Sequence, residues 1–154
     1  MDPKKLQTGE AIAVVGGIVL AISLFLEWFK TGNSFAMLNS CKGQDQSCSG
    51  WHSLTILRFF LLVAAIAPAI LAWIIMRGHA LSWPRGELTA VAAISALTFI
   101  IFRGLIDKPG SPPGQISISY GWFVALLGGV LILIGALTRS RESGERKRKP
   151  PGVL

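Results

Sequence analysis

Four long apolar segments constrain this chain more than any other feature of its sequence. They are Ala11–Trp28, Leu54–Met76, Leu88–Ile106 and Tyr120–Thr138. Each approaches the roughly 20 residues that cross the hydrocarbon core of a bilayer. The composition agrees, because 51% of the 154 residues are hydrophobic, only 15% are charged and the mean hydropathy is +0.55. Backbone polar groups in lipid must bond within their own segment, so the predicted fold is an all-α four-transmembrane-helix bundle over residues 1–138.

The distribution of lysine and arginine predicts the orientation of this bundle. An even number of spans puts both termini on one side, which then holds ten of the fifteen basic residues: Lys4, Lys5, Arg77, Arg85, Arg139, Arg141, Arg146, Lys147, Arg148 and Lys149. The other side holds Lys30, Lys42 and Lys108, while Arg58 and Arg103 fall inside helices. The positive-inside rule therefore predicts a bacterial inner-membrane protein with cytoplasmic termini and a basic cytoplasmic tail over residues 139–154.

Two cysteines lie in the first outer loop, on the oxidising side. A Cys41–Cys48 disulfide would close an eight-residue loop and contribute about 2.5 kcal/mol. The alternative, a redox-active pair as in four-helix membrane oxidoreductases that act on quinones, needs C-x-x-C and usually a second pair, whereas this spacing is C-x6-C. Alternating Ile116, Ile118 and Tyr120 predict a short strand, paired with Ser34–Leu38. Together these features predict a small outer cap pinned by the disulfide.

Charged residues near the outer ends of the apolar segments predict a buried ion-pair cluster. Arg103 and Asp107 are four residues apart on one helix face, and Arg58 and Glu27 are expected at a similar depth. Charges buried at one level are costly unless they are paired, which favours a cluster of all four. Two alternatives stay open: separate snorkelling to the interface, or a polar site for an anionic ligand. The inner halves of the helices are expected to lack ionisable residues, so no proton relay is predicted.

Small residues predict where helices approach closely. The fourth helix carries Gly121, Gly128 and Gly135 at intervals of seven, and the first offers small residues four apart: Gly9, Ala13, Gly17 and Ala21. Such stripes bring helix backbones together. Packing inside the bundle is favoured over packing between protomers.

The chain shows no signature of an enzyme. His52 and His79 are expected on opposite sides, so they cannot share a metal or haem, and no phosphate loop or hydrolase motif appears. We therefore predict neither catalytic residues nor a cofactor or metal. The tail residues Arg139, Arg141, Arg146, Lys147, Arg148 and Lys149 directly follow a membrane helix. They are typical of contact with anionic lipid or a protein partner and not with nucleic acid.

Several motifs together resemble a family of small, uncharacterised four-helix membrane proteins from actinobacteria. In order they are T-G-E, F-L-x-W-F, S-G-W-x-S-L-T, F-R-G-L-I-D-K-P-G and Y-G-W-F-V-A-L-L-G-G, which span most of the chain. Where that family commonly has a proline before the tryptophan of the first helix, this chain has Glu27. The resemblance implies the four-helix fold and carries no activity.

The function predicted from these features is that of a non-enzymatic accessory or scaffold subunit of a larger membrane assembly. It would pack on other membrane proteins, or on a second copy of itself, through its small-residue faces and dock its tail on an acidic partner surface. The alternative is a small ligand-binding or transport protein. That protein would use Arg58 and Arg103 in the outer leaflet to hold an anionic or lipid headgroup.

Overall fold

Helices dominate the computed structural model, which describes residues 8–32, 38, 41, 46–77, 86–111 and 113–148, with backbone alone at residue 113 and over 142–148. The elements follow in the order α1 (Thr8–Ser23), β1 (Glu27–Thr31), β2 (Ser47–Ser49), α2 (Gly50–Ser53), α3 (Leu57–Met76), α4 (Glu87–Ile101), β3 (Ile116–Ile118) and α5 (Tyr120–Arg148). A π-helical turn, Phe102–Ile106, extends α4, and a 3-10 turn, Pro113–Gln115, precedes β3.

Three of the described helices are long and apolar enough to cross a membrane. They are Leu57–Met76, Glu87–Ile106 and Tyr120–Arg141. The fourth long helix, α1, is apolar but has 16 residues, a length of about 24 Å against the roughly 30 Å of a hydrocarbon core. Large apolar side chains stay exposed on all four helices, among them Ile18, Ile22, Phe60, Val63, Ile70, Val91, Ile94, Leu127 and Ile134. Such a surface suits lipid or other helices better than water, so these are the helices of a membrane protein.

The four long helices form a closed ring. Helix α1 packs on α3 and α5, and α4 packs on the same two helices. Leu20, Leu61, Ile100 and Ile132, one from each helix, are almost completely buried at the centre. The ring has a cap end, where α1 leads into β1, and a tail end, where α1 begins.

The first helix ends at Ser23, so the predicted Ala11–Trp28 helix is wrong at its end. Trp28 folds back and its Nε1 donates a hydrogen bond of 2.7 Å to the Ser23 carbonyl oxygen, one of the acceptors left free at a helix terminus. The following residues, E-W-F-K-T, include aromatic and β-branched side chains and form β1 instead. Glu27 therefore lies in a strand and does not close a helix.

The cap is an antiparallel sheet of three strands in the order β2-β1-β3. Phe29 in β1 pairs with Cys48 on one side and Ile118 on the other. The strand predicted at Ile116 is present and pairs with β1. Residues 34–37 of its predicted partner, Ser34–Leu38, lie outside the described part. The predicted disulfide between Cys41 and Cys48 is confirmed, with the two Cα atoms 5.9 Å apart.

Candidate functional site

Arg58 lies at the cap end of α3 beside two aromatic rings. Its guanidinium carbon is 4.9 Å from the ring centroids of both Trp51 and Phe59. Nη1 donates to the Trp51 carbonyl oxygen at 3.2 Å. Trp51 stacks in turn on Phe25, with ring centroids 5.5 Å apart. Cation–π contacts hold the half-buried guanidinium in place, and Arg58 makes no ion pair within the part of the chain that the structure describes.

Arg103 lies on the π-helical turn that follows α4. Its Nη1 forms an ion pair with the Asp107 carboxylate, and its Nη2 lies 3.5 Å from the Ser53 carbonyl oxygen, at the long end of hydrogen-bonding range. The Asp107 side chain is 56% exposed, so this pair sits at the surface and is not the buried pair predicted from the sequence. Single π-helical turns are frequent at functional sites, where they redirect side chains.

The π-helical turn is braced by Trp122 of α5. Gly104 lies so close to the indole ring that a Cβ at this position would collide with it. The indole Nε1 donates to the Ile100 carbonyl oxygen at 2.8 Å. The buried ring of Trp122 thus holds the backbone of the turn that carries Arg103.

The predicted four-residue charge cluster does not form. Glu27 accepts a hydrogen bond of 3.0 Å from Ser47 Oγ and pairs with neither arginine. The physical reason is the early end of α1, which carries Glu27 into the sheet. The two arginines meet the carbonyl groups of α2 instead, and the Nε atom of each is buried without a hydrogen-bond partner.

Neither histidine is part of a metal site in the described structure. His52 is exposed, and its Nδ1 shares a hydrogen bond of 2.9 Å with Ser49 Oγ, while His79 lies outside the described residues. Within the described ranges, no three His, Cys, Asp or Glu side chains are grouped so that they could hold a metal ion.

The tail end contains a buried ion pair that the sequence analysis did not predict. Arg139 Nη2 lies 2.9 Å from Glu10 Oε1, and the two residues are only 4% and 5% exposed. The half of the bundle at the tail end, predicted to be the inner half, is therefore not free of ionisable residues, and Arg139 is not a tail residue. The spacing along α5 could have predicted that Arg139 faces α1. Arg139 lies four residues after Gly135, and residues four apart share a helix face.

A small crevice, partly open to the surroundings, lies beside this ion pair. Thr89 of α4 and Pro68 of α3 line it together with Glu10 and Arg139, so three helices meet α5 here. The room inside it corresponds to about one water molecule.

Glycines set the distance between α1 and α5. A Cβ at Gly128 would lie 2.7 Å from the Leu20 nitrogen, and one at Gly135 would lie 2.6 Å from the Ala13 nitrogen. Gly121 fits in the same way against the Glu27 carbonyl group at the cap end. Gly17 differs from the expectation, since it packs on the Ala65 carbonyl group of α3 and Gly16 faces α5 in its place. These small faces are used within the ring.

The basic segment is a continuation of α5. The helix runs to Arg148, past the predicted end at Thr138, so the boundary predicted between a bundle over 1–138 and a tail over 139–154 falls inside a helix. Arg141 is exposed, and Arg146, Lys147 and Arg148 belong to the last turns of the helix. Lys149 lies outside the described residues.

Comparison of the chain with protein-family models, with curated proteins and with solved structures gave no match. The resemblance to small actinobacterial membrane proteins stays a prediction.

Proposed function

We propose that this chain is a non-enzymatic subunit, an accessory or scaffold, of a larger assembly in a bacterial cell membrane. In this proposal α1 is the fourth span and both termini are cytoplasmic. The close packing of α1 along α5 supports the fourth span, because Gly135 contacts Gly9 near the start of α1 and Gly128 contacts Leu20 near its end. Leu24 and Trp28 continue the buried path beyond the helix.

The observation that carries the proposal is the unbroken length of α5. Its 29 residues correspond to about 44 Å, whereas a hydrocarbon core is roughly 30 Å thick. The basic residues therefore sit on a helical projection from the membrane. The Glu10–Arg139 ion pair ties the base of this projection to α1.

A projecting helix that carries an excess of cations suits an acidic surface on a neighbouring subunit. Charge complementarity of this kind steers association and fixes its orientation. The small-residue faces are used within the ring, which leaves the exposed apolar side chains of the four long helices for contact inside the membrane. Docking through the end of α5 is thus the central part of the proposed role.

The test is purification in a mild detergent followed by native mass spectrometry of the accompanying chains. We expect other subunits in a fixed ratio with the native protein. Partner recovery should fall strongly when the cations beyond Arg139 are replaced together by Gln: Arg141, Arg146, Lys147, Arg148 and Lys149. Arg139 is kept, because its removal would disturb the buried ion pair.

The matched control replaces three cations on the other side of the predicted membrane, Lys30, Lys42 and Lys108, by Gln. This variant should keep its partners. Purification of the native protein as a lone protomer or homo-oligomer, or full partner recovery with the neutralised helix, would contradict the proposal. Loss of bound anionic lipid alone would make the helix end a membrane contact and not a docking element.

A further inference from the structure

Two arginines from different parts of the chain converge on one turn of helix. Arg58 Nη1 bonds to the Trp51 carbonyl oxygen and Arg103 Nη2 approaches the Ser53 carbonyl oxygen. These carbonyl groups are two residues apart in α2, which is about 3 Å along a helix axis. Both guanidinium groups therefore approach the same short helix, α2, at the cap end.

The two arginines have one ion-pair partner between them among the described residues. Asp107 pairs with Arg103, and Glu27 is bound to Ser47. Within the described residues, no carboxylate pairs with Arg58. Among the described residues, Asp107 is thus the one carboxylate that pairs with either guanidinium group, and it is itself largely exposed.

The arginines also have hydrogen-bond donors that nothing in the described structure uses. A guanidinium has five N–H donors, and Arg58 employs one of them, toward Trp51. The Nε atoms of both Arg58 and Arg103 are buried with no acceptor. Buried donors in native proteins are nearly always satisfied, so these two donors call for an acceptor that the described residues do not supply.

We propose that Arg58 and Arg103 bind a phosphate group at the cap end. A phosphate supplies several acceptor oxygens and a negative charge, which suit the N–H donors and the positive charge of the two guanidinium groups. The Arg103 side chain is 21% exposed and Arg58 is half-buried, so both groups are reachable from the surface. The Nε atoms are buried, so binding through them requires the two side chains to rotate.

The phosphate has two possible sources, a lipid headgroup and the free ion. The surface around Arg58 is apolar, with Ile56 70%, Phe59 53% and Phe60 59% exposed. A headgroup bound by the arginines would lay its acyl chains along these side chains. Inorganic phosphate would use the arginines alone.

The experiment measures binding to the full chain in a neutral detergent, by thermal shift and native mass spectrometry. The probes are phosphatidylglycerol, diacylglycerol without a phosphate, and inorganic phosphate against chloride at equal ionic strength. We expect saturable binding of phosphatidylglycerol or of phosphate and none of diacylglycerol. Binding of phosphatidylglycerol alone identifies the lipid as the source, and binding of inorganic phosphate as well identifies the free ion as sufficient.

Arg58→Gln and Arg103→Gln should each weaken binding roughly tenfold or more, since each removes charged hydrogen bonds. Lys30→Gln, which removes an exposed cation of β1, is the matched control and should bind as the native protein does. Arg58→Lys keeps the positive charge but loses the paired N–H donors of the guanidinium group, so it should bind with intermediate affinity. This variant tests the proposal even if Arg58→Gln fails to fold. Absence of saturable binding by either phosphate probe, or native affinity in Arg58→Gln or Arg58→Lys, would overturn the proposal.

Discussion

At the residue scale, two tryptophans donate hydrogen bonds to the cap ends of two helices, α1 and α4. Trp28 donates its indole hydrogen to the Ser23 carbonyl oxygen, and Trp122 donates to the Ile100 carbonyl oxygen. Each indole ring also lies against a glycine, Gly50 for Trp28 and Gly104 for Trp122. A Cβ at either glycine would collide with the ring. A buried indole needs such an acceptor for its N–H group, so the rings are held at fixed depth and orientation.

The residue that we expect to matter most for stability is Arg139. Arg139→Gln would leave Glu10 buried without its ionic partner, and breaking a buried ion pair from one side costs roughly 3–5 kcal/mol. The variant should therefore unfold at a clearly lower temperature in detergent. Arg141→Gln, an exposed neighbour on the same helix, is the control and should unfold within about 0.5 kcal/mol of the native protein. Equal unfolding temperatures for the two variants would contradict this assignment.

At the element scale, the contact between α1 and α5 depends on the absence of side chains. Gly16 and Gly128 face each other, and Gly135 lies against Gly9 and Ala13. Association of helices in lipid relies on packing, because lipid tails provide no hydrophobic driving force between helices. The α1–α5 contact is therefore sensitive to a single methyl group.

Gly128→Ala should destabilise the bundle by about 1–3 kcal/mol, because the added Cβ would lie 2.7 Å from the backbone of α1. Alanine is otherwise the better helix former, so a loss of stability isolates the packing effect. Thermal unfolding in detergent measures it. The control is Gly114→Ala, where a Cβ would meet nothing within 4 Å. If Gly128→Ala is as stable as the control or more stable, α1 and α5 lie further apart than in this structure.

At the scale of the whole molecule, the open question is how many times the chain crosses the membrane. Single cysteines at Lys4, Thr55 and Arg141, placed in a background that keeps the Cys41–Cys48 disulfide, report the side of each position through an impermeant maleimide. With four spans, intact cells should label Thr55→Cys alone, and permeabilised cells should label all three. Labelling of Lys4→Cys in intact cells would mean that α1 does not cross.

The parts of the fold that follow from composition were predictable. The helices over Leu54–Met76 and Leu88–Ile106 begin and end within a few residues of α3 and of α4 with its π-helical turn, because an apolar run of membrane length has few other ways to satisfy its backbone. The end of α1 was not predictable in this way. Its apolar run continues into Trp28 and Phe29, which suit a strand equally well, so hydropathy carries no signal for the change of structure.

The candidate sites were predicted only in part, because sequence spacing describes one helix at a time. Arg103 and Asp107 share a helical face, and they do pair. Whether Arg58 or Glu27 joins them depends on where two other segments turn, which no local pattern specifies. The Glu10–Arg139 ion pair was missed for the same reason, since its partners come from opposite ends of the chain.

Because β1 is the central strand of the cap, its two neighbours become available at different times during synthesis. β1 is made first, β2 follows it, and β3 appears only after α3 and α4 have been translated. At roughly 5–20 residues per second, one edge of β1 stays without its partner for several seconds. During that time its backbone N–H and C=O groups remain open to other strands. The cap is completed only after β3 has been made, so the closed sheet marks a chain whose earlier helices have all been translated.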